Sequence, residues 1–309
     1  MPQEEKPKEV NSKEASKESP ISHFKEHSVA EFFKKNRQML GLFGKLRSLT
    51  TIVHEFVSNS IDACEEAGIL PDIEVKLVKL DEESYELTVT DNGPGMQEKI
   101  LGKALGKMLA GTKFHRQIQS RGQQGIGASG AILFSQITTG QPTKIVSGTG
   151  TEKPIYVELK INTEKNEPLI LEKKTLDKDF KGLAIKCLFK EVNYTDNAQN
   201  AFEYLKRTSI ANPHVQIKFY DPSDKLYVFE RSISEIPKRP IEIKPHIKSV
   251  NTDEFLSYAK NSDHRSISAY IKDTYDRVGD KFLEDLQKSL GKDLKLEDLS
   301  VKKLEWDSA

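Results

Sequence analysis

The chain has 309 residues, 36% apolar and 30% charged, enough for one large domain or two ordinary ones with a true core. Lysine plus arginine and aspartate plus glutamate both number 47, so no bulk field draws the chain to nucleic acid or membrane, and any such contact needs a local patch. No apolar run approaches the ~20 residues of a membrane span and no apolar stretch marks a secretory signal, so no membrane association and a cytoplasmic location are expected.

Residues 1–27 form a charged tail, too poor in apolar residues to offset the entropy of ordering. From Val29, "VAEFFKKNRQMLGLFG" places Phe32, Phe33, Met39 and Leu40 at roughly helical spacing, an amphipathic arm without an obvious partner in its own segment. Thr51–Ala67 is the strongest helical pattern, ended by Gly68 as a C-cap and by Pro71. "DIEVKLVKL" and "SYELTVT" alternate as half-buried strands and form a hairpin around "DEES". "TKIVSG", "PIYVELKI", "GLAIKCLF", "VQIKFY" and "KLYVFER" are further strands. Helical patterns lie near Lys99–Leu109, Gly130–Ser135 and Ala198–Ile210. Hairpins outnumber βαβ signals, which predicts an α+β domain over 28–230, a mixed and largely antiparallel sheet with helices on one face. Three prolines in "ISEIPKRPIEIKP" mark a boundary. "TDEFLSYAKN", "SISAYIKDTY" and "DKFLEDLQKSL" then form a small all-α unit over 231–309. Cys64 and Cys187 lack metal-ligand spacing and read as core thiols of a reducing compartment.

Three stretches carry chemistry. Glu55, Asn59 and Asp62 stand at i, i+4 and i+7 and so share one helix face. A solvated helix face usually mixes charge signs, whereas His54, Glu55, Ser58, Asn59, Ser60 and Asp62 include no lysine or arginine. A carboxylate and an amide one turn apart suit Mg²⁺ ligation and activation of a water. "DNGPGM", Asp91–Met96, directly follows a strand. It reads as an ordinary turn, or as a glycine-cleared approach to a planar ligand whose exocyclic amine Asp91 accepts. "RGQQGIGASG", Arg121–Gly130, sets four glycines before an apolar run, so converging N–H groups and a helix N-terminus can meet an anion. It is neither a P-loop nor a Rossmann fingerprint.

Taken in order, these motifs resemble the GHKL ATPase fold shared by gyrase B subunits, sensor histidine kinases, ninety-kilodalton heat-shock chaperones and mismatch-repair ATPases. Within that group "SVAEFFKKNRQMLG", "NSIDACEEAGILPDIEV" and "SRGQQGIGASGA" look like the B-subunit family of the type IIB DNA topoisomerases of archaea and plants. The resemblance implies a two-layer ATPase domain followed by a helix-two-turns-helix module. It implies that Glu55 polarises the attacking water, that Asn59 holds Mg²⁺, and that Asp91 takes the adenine amino group, with Gly93 and Gly95 making room. Arg121, Gly122, Gln123, Gln124, Gly125, Ile126, Gly127 and Ala128 become the phosphate-facing turn. Asp62 stands beside it, and Thr112 and Lys113 reach the nucleotide from a lid at about 106–120. ATP and Mg²⁺ are the implied cofactors.

The implied partners are a DNA-cleaving A subunit, a second B subunit joined by ATP-dependent dimerisation, and duplex DNA. Dimerisation would close a gate for double-strand passage in a heterotetramer, and the arm would find its missing surface on the other copy. Two departures stand out: many relatives carry a threonine where Leu183 and Ala184 stand, and a transducer domain expected after this region is absent, so the chain reads as an N-terminal portion. A DNA-clamping protein that only binds ATP is a rival reading. Lysine plus arginine equal aspartate plus glutamate over 231–309, however, so only the cluster Lys238, Arg239, Lys244 and Lys248 offers a cationic patch. A sensor kinase would need a phosphoacceptor histidine helix upstream, where only His23 and His27 lie in a short charged stretch.

Overall fold

The computed structural model describes residues 31, 33, 35, 37, 38, 40–108, 121, 126–241, 243–290, 295, 296 and 299–304. Thr112, Lys113, Gly122, Gln123, Gln124 and Gly125, with most of the expected lid, lie outside the described residues, as does Phe32 of the arm.

Helix α1, Lys45–Glu66, starts about a turn and a half before the expected Thr51. Leu49, Ile52, Val53, Phe56, Val57, Ile61 and Cys64 form its buried stripe, each large apolar side chain contributing ~1.5–3 kcal/mol of burial. Gly68, at φ 68°, then takes the left-handed conformation that ends a helix.

Strands β1 (Asp72–Lys79) and β2 (Tyr85–Asp91) pair as the expected hairpin, with Lys79 opposite Tyr85. Ile73, Val75 and Leu77 of β1, and Tyr85, Leu87, Val89 and Asp91 of β2, are buried, while intervening residues are half-buried or exposed. That alternation covers one face of the sheet and leaves the other open. Helix α2 (Glu98–Gly106) comes next, then α3 (Gly127–Thr139), whose Ala131–Phe134 run lies wholly in the core.

Strands β3 (Thr143–Gly148), β4 (Ile155–Asn162), β5 (Glu167–Thr175) and β6 (Gly182–Phe189) succeed it. Helix α4 (Ala201–Ala211), β7 (Gln216–Tyr220) and β8 (Leu226–Phe229) complete the layer. The eight strands run β5-β4-β3-β6-β2-β1-β7-β8. Every pairing is antiparallel except β1 with β7. The sheet is thus mixed and largely antiparallel, as the hairpin count foretells. Strand β6, though late in sequence, sits at the centre against β2 and β3.

Strand β5 has no counterpart among the sequence-based elements. It is an edge strand with scarcely any burial, and Leu169, Ile170 and Leu171 run consecutively instead of alternating. The period-2 signal that marks its neighbours is therefore missing.

Of the arm's apolar side chains, Phe33 and Leu40 are described. Phe33 is fully buried in the main core, 3.9 Å from where a Cβ on Gly130 would sit. Arg37 lies over the Phe134 ring at 4.7 Å and pairs with Glu191 at 3.1 Å. Phe33 thus finds apolar partners within its own chain.

Residues 247–304 carry a second apolar cluster built on α5 (Thr252–Asn261), α6 (Ile267–Thr274) and α7 (Asp280–Leu290). Tyr270 and Tyr275 sit at its centre, their hydroxyls 2.9 Å apart. Asn251 and Glu254 close a reciprocal capping box on α5, which satisfies N–H groups the helix cannot. No helix of the described residues is long and apolar enough to cross a membrane.

Candidate nucleotide site

The polar face of α1 does not point into solvent. Glu55 and Asn59 are half-buried and Asp62 is 5% exposed. Glu55 meets the start of α3: a Cβ built on Gly127 would stand 1.7 Å from Glu55 Oε2. Only glycine lets the backbone approach the carboxylate this closely. The acidic helix and the glycine-rich stretch, far apart in sequence, are therefore in direct contact. Burial raises the Glu55 carboxyl above its ordinary 4.5, with neighbouring His54 pulling the other way. His54 is itself held by the Tyr204 hydroxyl of α4, 3.1 Å from Nδ1.

Helix α3 opens with Gly127, Ala128, Ser129 and Gly130, preceded by Ile126. No side chain caps this end and its first turn carries no acid. Its leading N–H groups lack intrahelical acceptors and carry the positive end of the helix dipole, a setting suited to phosphate oxygens. Ile126 and Ala128 are half-buried and pack on the main core.

Asp91 ends β2 with 6% exposure. Its Oδ2 accepts from Ser60 Oγ at 2.7 Å, and Oδ1 accepts the amides of Gly93 at 3.0 Å and Leu183 at 3.1 Å. Burial pushes its carboxyl up, and these three donors oppose that. A carboxylate offers about four lone-pair sites, so one acceptor position remains for an amine. Gly93 packs beneath: a Cβ there would sit 3.0 Å from Asp91 Oδ1 and 3.2 Å from Cys64 Sγ. Burial and the Asp91 charge raise the Cys64 thiol to about 12, so it stays neutral. Cys187 is also buried and free.

Gly95 is held tightly in the turn. At φ 65° a side chain is strained, and a Cβ would stand 2.3 Å from the Gly148 carbonyl oxygen and 3.1 Å from that of Gly182. The turn is thus jammed against the ends of β3 and β6. Ser147 clamps it further, accepting from the Met96 amide at 2.7 Å and donating to the Met96 carbonyl at 2.9 Å. Leu183, standing where a threonine is expected, still reaches Asp91 through its backbone amide. Changing the side chain leaves that contact intact.

Arg121 and Asp62 are brought together. The Arg121 guanidinium bonds Asp62 Oδ1 at 2.9 Å, both Glu65 oxygens at 2.8 and 2.9 Å, and Asn212 Oδ1 at 2.6 Å. The cation missing from the α1 motif thus arrives from elsewhere in the chain. Ser60 belongs to the polar run of α1, but its spacing assigns it no role. Ser147, Glu65 and Asn212 give no sequence signal, because each acts through a residue distant along the chain. Among the described residues no group of three or more histidine, cysteine, aspartate or glutamate side chains could cage a metal ion. A Mg²⁺ that takes most of its ligands from phosphates and water needs no such cage, so the half-buried Asn59 amide fits it.

The family profile "Histidine kinase-, DNA gyrase B-, and HSP90-like ATPase" matches residues 44–163, which span α1, Asp91 and the start of α3. The B subunit of type 2 DNA topoisomerase 6 from Pyrococcus horikoshii is 48% identical over 270 residues, covering 87% of this chain and 48% of the relative. The protein of the same name from Methanothermobacter thermautotrophicus is 44% identical over 289 residues, covering 93% of this chain and 54% of the relative. The chain spans about half the length of the curated relatives it matches. Among solved structures, the Aquifex aeolicus MutL ATPase domain complexed with ADP aligns with TM-score 0.38 and 15% identity over 60% of this chain and 64% of that one, too distant to carry an inference.

Proposed function

We propose that the chain, whose residues 44–163 match the histidine kinase-, DNA gyrase B- and HSP90-like ATPase profile and which is similar over most of its length to B subunits of type 2 DNA topoisomerase 6, binds and hydrolyses ATP in a type IIB topoisomerase. The observation that carries this reading is the Glu55 carboxylate set against Gly127 at the head of α3. A carboxyl raised by burial beside the uncapped N–H groups that open α3 supports the role of a base next to bound phosphate.

Asp91 accepts the adenine amine, held in orientation by Ser60 and by the amides of Gly93 and Leu183. The N–H groups of Gly127, Ala128 and Ser129 receive the phosphates. Glu55 orients a water and draws its proton as it attacks the terminal phosphorus. Asn59 would hold the Mg²⁺ that neutralises phosphate charge. Thr112, Lys113 and the segment Gly122–Gly125 complete the site in this reading.

The coupled work is the ATP-driven association of two such chains around one DNA duplex while an A subunit cleaves another. The relatives named as topoisomerase subunits support it. In this reading the protein works in the cytoplasm, with no membrane partner. The helical unit from residue 231 acts as a helix-two-turns-helix spacer between the ATPase domain and the remaining length of the longer relatives.

The test is Glu55→Gln. Titration calorimetry with Mg-ADP should give wild-type affinity, and steady-state turnover of ATP should fall by at least ~100-fold, the usual scale for a general base. Turnover near the wild-type rate would take Glu55 out of the base role.

A further inference from the structure

The backbone ladder between β1 and β2 ends at the pair Ile73 and Asp91. The next step of that ladder is still made, but by a side chain. Asn92 Oδ1 accepts the Asp72 amide at 2.9 Å, and Asn92 Nδ2 donates to the Leu70 carbonyl at 3.0 Å. One carboxamide thus supplies the acceptor and the donor that a paired strand residue would offer. The Cys64 thiol, kept neutral by burial, adds a weak contact to the same Oδ1 at 3.5 Å. The Asn92 backbone, outside the strand, is left to turn away from β1. The amide that follows it, that of Gly93, is the one donated to Asp91 Oδ1 at 3.0 Å.

We infer that Asn92 is a positioning residue for base selectivity: by tying the end of β2 to the loop between α1 and β1, it fixes the Asp91 carboxylate in the orientation that selects an adenine amine. The inference rests on the ATP-binding reading and adds to it a residue that sets selectivity through Asp91. That carboxylate is held by three donors from three segments: Ser60 of α1, Leu183 of β6 and Gly93 of the turn. The first two sit on a helix and a central strand. The Gly93 amide is only as well placed as the Asn92–Gly93 peptide that carries it. Asn92 anchors that peptide on one side, and Ser147 holds both backbone groups of Met96 on the other. The turn is therefore fixed at its two ends, with the Gly93 amide between them. Hydrogen bonds weaken steeply with misalignment. Loosening Asn92 thus costs discrimination between an amine and a carbonyl at Asp91. It leaves Glu55, which meets Gly127 through a separate contact, in place.

Asn92→Ala in the 309-residue chain tests this. Calorimetry measures Mg-ADP directly and Mg-IDP by displacement of Mg-ADP. The hypoxanthine of IDP carries a ring carbonyl where adenine carries the exocyclic amine. Steady-state ATP turnover and thermal melts are measured beside wild type. Expected are a roughly tenfold rise in Kd for Mg-ADP and in KM for ATP, with Kd for Mg-IDP and kcat for ATP each within about twofold of wild type. The preference for adenine therefore shrinks about tenfold. A merely structural role would lower the melting temperature and move both ligands alike, so an unchanged ADP-to-IDP preference overturns the inference. Asn92→Thr keeps a hydroxyl that can serve one of the two backbone groups. It is read in the same way where the alanine variant does not fold, with a loss of preference of about threefold expected and an unchanged preference again overturning the inference. Failure of the wild-type chain to bind Mg-ADP, or equal wild-type affinity for ADP and IDP, would instead overturn the ATP-binding reading at Asp91, and the role of Asn92 with it.

Discussion

Helices α1 and α7 look alike on paper. Both are amphipathic, and each carries several charged or polar residues opposite its apolar stripe. In the fold they differ completely. The polar residues of α1 are covered by other elements: Glu55 by Gly127, Ser60 by Asp91, Asp62 and Glu65 by Arg121. Helix α7 has no buried residue, and its charges form exposed pairs such as Lys272–Asp280 and Lys288–Asp285. A polar helix face therefore becomes a site only when distant segments arrive to desolvate it. Desolvation then changes the chemistry, as the upward shifts at Glu55 and Asp91 record.

Three measurements put that contrast at risk. The largest effect belongs to Asp91→Ala. It strips the Ser60 hydroxyl and the Gly93 and Leu183 amides of their common acceptor, at ~1–3 kcal/mol for each group left unsatisfied. Affinity for adenine nucleotide should fall beyond detection by calorimetry, and the melting temperature should drop with it. Undiminished binding would show that the α1–β2 contact is only structural.

Next comes the acid side of the turnover profile. In the proposed mechanism Glu55 acts as a base only when ionised, and burial moves its titration above 4.5. Below the midpoint kcat/KM should fall ~10-fold per pH unit. A midpoint at or below 4.5 would mean that Glu55 stays solvated. The smallest effect is that of Asp280→Ala on α7. An exposed pair contributes at most ~1 kcal/mol, so chemical denaturation should shift slightly and Mg-ADP affinity not at all. A clear loss of nucleotide affinity would make α7 more than a solvated face.

Much of this protein was legible in its sequence because the relevant signals are local. The period of 3.6 in α1, the period of 2 in β1, β2 and β6, and the glycine caps are set by neighbours a few positions away. The proposed site residues Glu55, Asn59 and Asp91 also rest on local spacing, and the structure adds that Glu55 meets Gly127 and that Ser60 bonds Asp91. Strand β5 escaped because an exposed edge strand needs no alternation. The burial of Phe33 escaped because its partners, near Gly130 and Phe134, lie about a hundred residues downstream. Only the folded chain decided that Leu183 serves Asp91 through its amide, that Gly95 makes room for β3 and β6, and that Arg121 neutralises Asp62. Each of these depends on distances between segments that chain connectivity leaves free, which packing of the sheet against its helices alone sets.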